Sequence, residues 1–357
     1  MARQNLRTGY TTGTCAAAAA KAGLFHLLLG QSPTQVDTPL PPGGHLRIPI
    51  HACTPEGDGV RVTVLKDGGD DPDCTNGEEI QVLVHLKQGE GELEINLNGG
   101  KGIGRVTLPG LPVPVGQAAI NPTPKSQIGT ALREAAGDWT GTISVLVEVP
   151  RGEELAAQTM NPRLGILGGI SILGTQGIVK PYSNESYTAS IAEALDVAQA
   201  AGLTEVVFTT GRRTERLYLE YHPETNPLAA VQVADFFAFA NKAAALRGFT
   251  DVTWSVFFGK LVKQAQGLTY THAKTHPVDF DLLARRCAEA GVGQDLLPAI
   301  QGANTARQVL DTLHGNTARD TLLLLLINLA EAAATTFAGS PIHVSYSVFD
   351  FDGSLLA

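Results

Sequence analysis

Four carboxylates crowd one short glycine-rich loop early in the chain. The loop covers residues 66–77 with the sequence KDGGDDPDCTNG, and its acids are Asp67, Asp70, Asp71 and Asp73. Carboxylates this close repel one another unless a cation, backbone donors or protonation relieves them. The loop therefore predicts magnesium binding, proton transfer or the orientation of neighbouring donors. A solvated turn explains the same residue types, since Asp, Asn and Gly are the usual turn formers. A calcium EF-hand loop is excluded by the spacing.

A threonine-rich turn leads into an alanine-rich run near the start of the chain. Its sequence is RTGYTTGTC, beginning at Arg7, and Thr11 and Thr12 stand directly before the apolar run. Hydroxyl groups at the N-terminus of a helix can help to bind an anion. The same hydroxyls can instead cap the unpaired N–H groups of the helix. Both interpretations remain open at this stage.

Basic residues stand beside glycines at three further places. Lys101 and Arg105 lie in NGGKGIGR, Arg212 follows Gly211 in TTGRR, and Lys260 follows a glycine in FFGKLVK. None has the spacing of a phosphate-binding P-loop. Arginine and lysine in such extended segments suit the binding of carboxylates. A rigid connecting loop is the alternative for the Lys101 segment.

Glycines also follow a predicted strand in NPRLGILGGISILGTQG. Gly168, Gly169 and Gly174 do not have the G-x-G-x-x-G spacing of a dinucleotide site, so they are weak evidence for a nucleotide. Close packing of strands through glycine is the alternative.

Further along, His272 and His276 stand four apart in THAKTH, but the following proline favours a loop, and the metalloprotease pattern H-E-x-x-H is absent. We assign no metal-binding residues.

Composition limits the class of protein. The 357 residues suffice for about two domains, and the 35 acidic and 26 basic residues give a net charge of −9. This balance argues against a nucleic-acid partner. The four cysteines form no C-x-x-C pair and read as reduced thiols. Lys21 interrupts the first apolar run, and the run at 322–329 is too short to cross a bilayer. We therefore expect a cytoplasmic protein with no membrane partner.

Two different patterns of predicted secondary structure position these motifs. Up to about residue 160 short strands dominate, which predicts an N-terminal α+β domain (1–160) with a mainly antiparallel sheet. From residue 161, strands alternate with glycine turns and helices, which predicts a C-terminal α/β domain (161–357) with a mainly parallel sheet. The predicted strands are 60–65, 80–86, 93–97, 142–149, 164–172, 205–209, 252–258 and 343–349. The predicted helices include 12–29, 124–136, 184–201, one from 214, 228–247 and one from 260. Segment 32–44 reads as a surface loop.

As an ordered set, these motifs resemble the CbiD family, the cobalt-precorrin-5B (C1)-methyltransferases. The resemblance runs from about Arg7 to the end of the chain and is dense up to Pro181. Cys74 departs from it, standing where an apolar residue is expected. The motifs that carry it are RTGYTTGTCAAAA, KDGGDDPDCTNG, GGKGIGRVT, INPTP, NPRLGILGGISILGTQGIV and TTGRR.

The resemblance implies a reaction, the methylation of ring carbon C1 of cobalt-precorrin-5B to cobalt-precorrin-6A in anaerobic cobalamin biosynthesis. S-adenosylmethionine would be the methyl donor and the cobalt-precorrin the small-molecule partner. The oligomeric state, including a homo-oligomer, stays open. A corrinoid carrier without catalysis, or a phosphate-handling enzyme using Lys101 and the acidic loop with magnesium, are the alternatives.

Against that chemistry, we assign roles to the residues. A carboxylate-rimmed substrate requires cations and donors, and the acidic loop would face the cationic sulfonium or manage a proton. The glycine turns would hold the adenosyl group. The expected catalytic residues are Asp67, Asp70, Asp71 and Asp73. The expected substrate-binding residues are Arg7, Thr11, Thr12, Lys101, Arg105, Arg212 and Lys260. The expected cofactor-binding residues are Gly168, Gly169, Gly174, Thr210 and Gly211. His272 is considered as a ligand to the substrate's cobalt.

Overall fold

The chain divides after Ser183 into two units. The computed structural model describes residues 6–357, and the units are Met1–Ser183 and Asn184–Ala357. The sequence predicts a boundary at residue 160, whereas residues 161–183 belong to the first unit. They do so because strand pairs tie them back to earlier segments: Ile166 pairs with Val106, and Val179 pairs with Gly9.

The first unit combines short and long strands with three α-helices among the described residues. In chain order they are β1 (Gly9–Tyr10), α1 (Thr12–Leu29), β2 (Gln35–Pro39), β3 (His45–Pro49), β4 (Ala52–Glu56), β5 (Gly59–Leu65), β6 (Glu79–Gln88), β7 (Glu94–Gly99), β8 (Arg105–Val106), α2 (Pro122–Ala136), β9 (Gly141–Glu148), α3 (Gly152–Ala156), β10 (Ile166–Leu167) and β11 (Ile178–Val179).

The alanine-rich run forms the central helix of this unit. Helix α1 packs against α2, β5 and β6, and its alanines are fully buried. Small side chains allow a helix to lie close to a sheet, which is why a run of alanines serves here. The helix begins after Thr11, whose Oγ1 accepts a hydrogen bond from the Thr14 backbone N at 3.2 Å. It ends at Gly30, which takes the left-handed conformation that glycine permits.

A five-stranded sheet lies against α1. Its strand order is β4-β5-β6-β9-β7, and every neighbouring pair is antiparallel except β7 with β9. Along β6, Ile80, Val82 and Val84 are buried and alternate with partly exposed residues, the period of a half-buried strand. The predicted α+β domain with a mainly antiparallel sheet is confirmed.

One segment expected as a surface loop is a strand. Within residues 32–44, β2 pairs antiparallel with β3, and its Val36 and Thr38 are buried. The proline and glycine content of the segment signalled a loop, but Val36 pairs with Ile48 and packs in the core of the first unit. Tertiary packing has overridden local propensity.

The second unit alternates helices with strands. In chain order its elements are α4 (Asn184–Ala200), β12 (Glu205–Thr209), α5 (Arg212–Tyr221), β13 (Ala230–Gln232), α6 (Phe237–Leu246), β14 (Asp251–Phe257), α7 (Phe258–Ala265), α8 (Phe280–Glu289), α9 (Leu297–Gln301), α10 (Ala306–Thr312), α11 (Ala318–Ala338) and β15 (His343–Phe349). The sheet has the order β13-β12-β14-β15 and is parallel throughout. The predicted α/β domain with a parallel sheet is confirmed.

The predicted helix 228–247 is wrong in its first half. The chain forms β13 there, beside β12, before α6 begins at Phe237. Val231 and Val233 are buried in the core of the second unit. The short strand was hidden because its apolar residues fit helical spacing too, an ambiguity of short apolar runs.

Within residues 6–357, two helices are long and apolar enough to cross a membrane by length and composition alone. They are α1, of whose apolar window 72% is buried, and α11, of whose window 33% is buried. The burial of α1 is that of a core helix. Helix α11 extends beyond the apolar run recognised in the sequence and packs against α6, α7 and β15.

Candidate functional site

Two acids of the glycine-rich loop hold the segment before α1. The Arg7 guanidinium forms an ion pair with Asp67, and its backbone N donates to Asp70 Oδ2 at 2.6 Å. Asp67 Oδ1 also accepts from the Gly69 backbone N at 2.9 Å. The Arg7 hydrogen bond keeps the pKa of Asp67 below its usual range, against an opposing contribution from burial. Both carboxylates are therefore engaged by donors of this chain.

The other two acids of the loop have partners of their own. Asp71 Oδ1 accepts from the backbone N of Tyr182 at 2.9 Å. Asp73 is paired with Lys66, a lysine only 3% exposed, and Asp73 Oδ1 accepts from the N and Oγ1 of Thr75 at 2.8 and 2.6 Å. Burial disfavours the charged form of Asp73, but Lys66 and Thr75 outweigh it and lower its pKa. Hydrogen-bond donors and cations of the protein itself thus relieve the repulsion among the four carboxylates.

Close backbone contact fixes the loop to the N-terminal segment. A Cβ built on Gly9 would lie 2.6 Å from the backbone N of Gly69. Gly69 itself has φ +67°, and a Cβ there would lie 2.8 Å from the backbone N of Gly9. The Tyr10 backbone N donates to Asp67 O at 2.8 Å. The two glycines are needed because each chain passes where a side chain would stand.

An open pocket of about 370 Å³ lies beside this junction. Tyr10 and Arg7 line it together with His51, Lys66 and Asn76. The Tyr10 hydroxyl donates to Leu65 O at 3.0 Å, and burial raises the pKa of Tyr10 to about 12. The Arg7 side chain is 59% exposed. An exposed guanidinium and a buried lysine side chain therefore line the same pocket.

The threonines at the start of α1 form hydrogen bonds within the protein. Thr12 Oγ1 accepts from the Leu173 backbone N at 3.0 Å, and Thr14 Oγ1 donates to Gly177 O at 2.7 Å. Thr11 caps the helix, and all three side chains are buried. Of the two interpretations left open by the sequence, this geometry is that of a helix cap joined to residues 171–177.

Lys101 and Arg105 are exposed to solvent. Arg105 lies in β8 directly opposite Leu167 of β10 and forms a bridge with Ala118 on its other side. Directly opposed residues of an antiparallel pair share one face, so a cation and an apolar side chain 53% exposed stand together on this surface. Arg105 also donates from Nη1 to Gly116 O at 3.1 Å.

The glycines of the first unit that were expected to hold the cofactor differ in their surroundings. A Cβ on Gly169 would stand 2.7 Å from the backbone N of Gly104, and one on Gly174 would stand 2.5 Å from Thr11. A Cβ on Gly168 would meet none of the described atoms within 4 Å. Gly169 and Gly174 therefore allow close packing of the chain on itself, the alternative that the sequence also offered.

In the second unit, Thr210 and Gly211 form the turn between β12 and α5. Arg212 is exposed, and a Cβ on Gly211 would meet none of the described atoms within 4 Å. The guanidinium of Arg213 lies over the rings of Phe257 and Phe351, with 5.3 and 5.0 Å to the centroids. The described atoms therefore leave space next to Gly211.

Sequence reasoning missed a charged cluster beside this turn. Lys260 forms an ion pair with Asp235, a residue for which no role was assigned. Asp235 Oδ1 also accepts from Thr271 Oγ1 at 3.0 Å. Lys263 is 7% exposed and donates to Thr271 O at 2.9 Å. Recognition of β13 as a strand was the signal that could have found Asp235, since an acid just past a strand end is a candidate binding residue.

The described residues contain no group of three His, Cys, Asp or Glu side chains that could hold a metal ion. His272 lies in the loop after Thr271, with its ring 6.0 Å from that of Tyr270. Its role toward the substrate's cobalt stays a hypothesis.

Known proteins match nearly the whole length of this sequence. A protein of Nitratidesulfovibrio vulgaris named cobalt-precorrin-5B C(1)-methyltransferase is 47% identical, covering 99% of this chain and 93% of its own. Proteins of the same name from Geobacillus kaustophilus and Thermus thermophilus are 42% and 41% identical, covering 99% and 98% of this chain and 95% and 93% of their own. By its similarity to these relatives the chain is a methyltransferase, and the predicted enzyme class is confirmed.

The family models give the narrower assignment. The model described as CbiD matches residues 1–181, and the one described as the CbiD C-terminal domain matches residues 270–357. The chain belongs to the CbiD family, and the resemblance stated from its motifs is confirmed. A crystal structure of cobalamin biosynthesis protein CbiD from Archaeoglobus fulgidus is 28% identical and covers 72% of this chain and 78% of its own, with a TM-score of 0.40.

Proposed function

We propose that this chain methylates carbon C1 of cobalt-precorrin-5B with S-adenosylmethionine as the donor. The observation that carries the proposal is the 47% identity over 99% of the chain to a protein named for this reaction. Transfer of a methyl group between two bound partners requires their alignment and the exclusion of water more than it requires acid–base chemistry. The residues proposed below serve those two needs.

The substrate carries carboxylates around an apolar macrocycle, so its site needs cations next to apolar surface. The face formed by Arg105, Leu167 and Ala118 offers both, with exposed Lys101 four residues before Arg105. Arg7, at the pocket beside the acidic loop, is a further exposed cation. We propose that Lys101, Arg105 and Arg7 bind substrate carboxylates. Thr11 and Thr12 instead hold α1 in place, because their hydroxyls are already bonded.

The acidic loop acts in this proposal by positioning. Asp67 pairs with the Arg7 guanidinium and Asp70 accepts from the Arg7 backbone N. Asp73 pairs with Lys66, which lines the same pocket. Each carboxylate has a donor within the chain, which favours a role in orienting cations over a role as a free base. Removal of Asp67 would leave Arg7 without its ion pair at the pocket.

The donor would supply the electrophilic methyl group. The turn of Thr210 and Gly211 fits an adenosyl group, because the carboxyl ends of parallel strands are the usual place for such ligands and Gly211 leaves open space there. Arg212, exposed beside this turn, is a further candidate for an anionic group of a ligand. A cytoplasmic location is part of the proposal, supported by the four free cysteines.

Turnover with defined substrates tests the function. The purified chain, given cobalt-precorrin-5B and S-adenosylmethionine with a deuterated methyl group, should release S-adenosylhomocysteine and place the label on C1, as read by NMR. A carrier would bind the corrinoid without releasing S-adenosylhomocysteine. Methylation of another ring carbon, or no turnover with an intact fold, would overturn the proposal.

Arg105→Gln is expected to raise the KM for the corrinoid by about tenfold, the effect of losing one charge-assisted hydrogen bond, while kcat changes little. The reason is that Arg105 would hold a remote carboxylate and not the reacting carbon. Steady-state kinetics check this, with Arg47→Gln as the matched control on the exposed Arg47–Asp37 pair. An unchanged KM for Arg105→Gln would remove this face from the substrate site.

A further inference from the structure

The order of strands in the second unit marks one position on its parallel sheet. Strand β12 comes first in the chain, yet it lies between β13 and β14. The connections that follow β12 and β13 therefore lead to opposite sides of β12. In open parallel sheets the crevice at the carboxyl end of such a strand is where ligands bind.

An ion pair crosses the end of β12. Asp235 follows the last residue of β13 by three positions, and Lys260 follows the last residue of β14 by three positions. Since β12 separates these two strands, the contact between Lys260 and Asp235 passes over the point where the chain continues into Thr210 and Gly211. The side chains are 26% and 17% exposed. A charged pair thus lies at the position expected for a ligand.

The backbone that presents Asp235 is unusual. The preceding residue, Ala234, has φ +47°, the left-handed region that residues with a Cβ rarely adopt. Such strain persists where surrounding structure enforces it and is frequent at binding sites. Here the Val233 backbone N donates to Thr209 O at 2.9 Å, and the Thr271 backbone N donates to Asp235 O at 3.0 Å. The acid is therefore held on both sides.

The cluster has more positive than negative groups. Lys260 and Lys263 stand with the single carboxylate Asp235, and the Lys263 ammonium is buried against the carbonyl of Thr271. Burial, and next the nearby Lys260, lower the pKa of Lys263, while Asp235 opposes them. A ligand that brings a carboxylate would balance the second ammonium. A ligand that also brings hydroxyl donors would satisfy Asp235 once Lys260 turned away.

We propose that Asp235 accepts hydrogen bonds from the ribose hydroxyl groups of the methyl donor, and that Lys260 exchanges Asp235 for the donor's amino-acid carboxylate. The chemical class recognised is a nucleoside joined to an amino acid, with the ribose over Gly211. The inference rests on the proposed function, because S-adenosylmethionine is the donor named there. It assigns the donor's site to the second unit.

Calorimetric titration with S-adenosylhomocysteine tests the assignment. Asp235→Asn is expected to weaken binding about ten- to hundredfold, the cost of removing a charged acceptor. Lys260→Met should weaken S-adenosylhomocysteine but should not weaken adenosine, which lacks the carboxylate and no longer has to displace Lys260 from Asp235. The matched control is Asp251→Asn, at the opposite end of β14 and half exposed, which should bind as the wild type does.

A second probe covers the case in which Asp235→Asn fails to fold. S-adenosylhomocysteine lacking both ribose hydroxyls should bind wild-type protein at least tenfold more weakly, a result that does not need the variant. In a folded Asp235→Asn the deficit should shrink, because asparagine offers only a neutral acceptor. Equal affinity of the two ligands for the wild type would overturn the inference, as would unchanged binding by a folded Asp235→Asn. The proposed function would survive both results. If the wild type bound no S-adenosylhomocysteine at all, both the proposed donor and its site in the second unit would be overturned.

Discussion

Lys66→Met is expected to lower the unfolding free energy of the first unit by about 3 kcal/mol, the range for breaking one side of a buried ion pair. Lys66 is 3% exposed, and its ammonium is paired with Asp73, whose side chain is 24% exposed. The variant would leave Asp73 charged and largely out of water, with only the two Thr75 hydrogen bonds. Urea unfolding, read by pulsed hydrogen exchange of β5 and β6 peptides, gives the free energy for this unit.

The effect of Lys66→Met should depend on pH in a defined direction. The pKa of Asp73 is lower in the folded chain than in the unfolded one. Asp73 therefore contributes stability above its ordinary unfolded pKa of about 4, and the contribution is lost as the pH falls through the lower folded value. In the variant, burial without the cation would raise this pKa. The difference in stability between wild type and variant should accordingly shrink as the pH falls from 7 toward 3.

Two further proteins separate the buried charge from general damage. Arg47→Met breaks the Arg47–Asp37 pair, whose side chains are 63% and 55% exposed, and should cost less than about 1 kcal/mol. Lys66→Met combined with Asp73→Asn keeps an acceptor for Thr75 without the charge and should recover most of the loss. If Lys66→Met were no worse than Arg47→Met, or if the double variant were no better than the single, the pair would not hold the loop.

The elements with strong local signals were predictable. Strand β15 has the predicted bounds, as do α1 and β12, and the strands of the antiparallel sheet lie within a few residues of their predicted positions. Alternation and helix-stop glycines carry this information locally. Strands β2 and β13 were missed because their stability comes from partners far along the chain, which no local window contains. The pairs of residues 161–183 with β1 and β8 are long-range in the same way.

The candidate site was predictable in its residue types but not in its partners. The sequence showed that Asp67, Asp70, Asp71 and Asp73 would need donors, but not that Arg7, Tyr182 and Lys66 would supply them. Asp235 was invisible because β13 was read as helix. Glycine is ambiguous for a physical reason, since absence of a side chain permits close approach of either a ligand or another stretch of backbone. Gly169 shows how the two can be told apart.

Gly169→Ala is expected to destabilise the first unit by about 3 kcal/mol or more, the upper range for overpacking. The added Cβ would press on the backbone of Gly102 and stand 2.7 Å from the N of Gly104. These atoms have little freedom to yield, because the Ile170 N donates to Gly102 O at 3.0 Å and the Gly104 N donates to Ile170 O at 2.9 Å. The same hydrogen-exchange titration, read on β6 and β9, gives the loss.

Two alanine controls separate crowding from other costs of losing glycine. Gly168→Ala adds a Cβ that would meet none of the described atoms within 4 Å. Because Gly168 has φ +81°, only backbone strain of about 1 kcal/mol is expected. Gly89→Ala meets its nearest atom at 3.5 Å, an ordinary contact, and should change stability by less than about 0.5 kcal/mol.

If these glycines serve packing, the loss of stability should therefore decrease in the order Gly169→Ala, Gly168→Ala, Gly89→Ala. If Gly169→Ala kept full stability and instead weakened S-adenosylhomocysteine, Gly169 would face the donor, as the sequence first suggested. That result would also move the donor's site to the first unit. Loss of stability in Gly169→Ala without loss of donor affinity, together with weaker donor binding in Asp235→Asn and Lys260→Met, would indicate that the glycines of residues 165–177 serve packing. The donor would then bind at the parallel sheet.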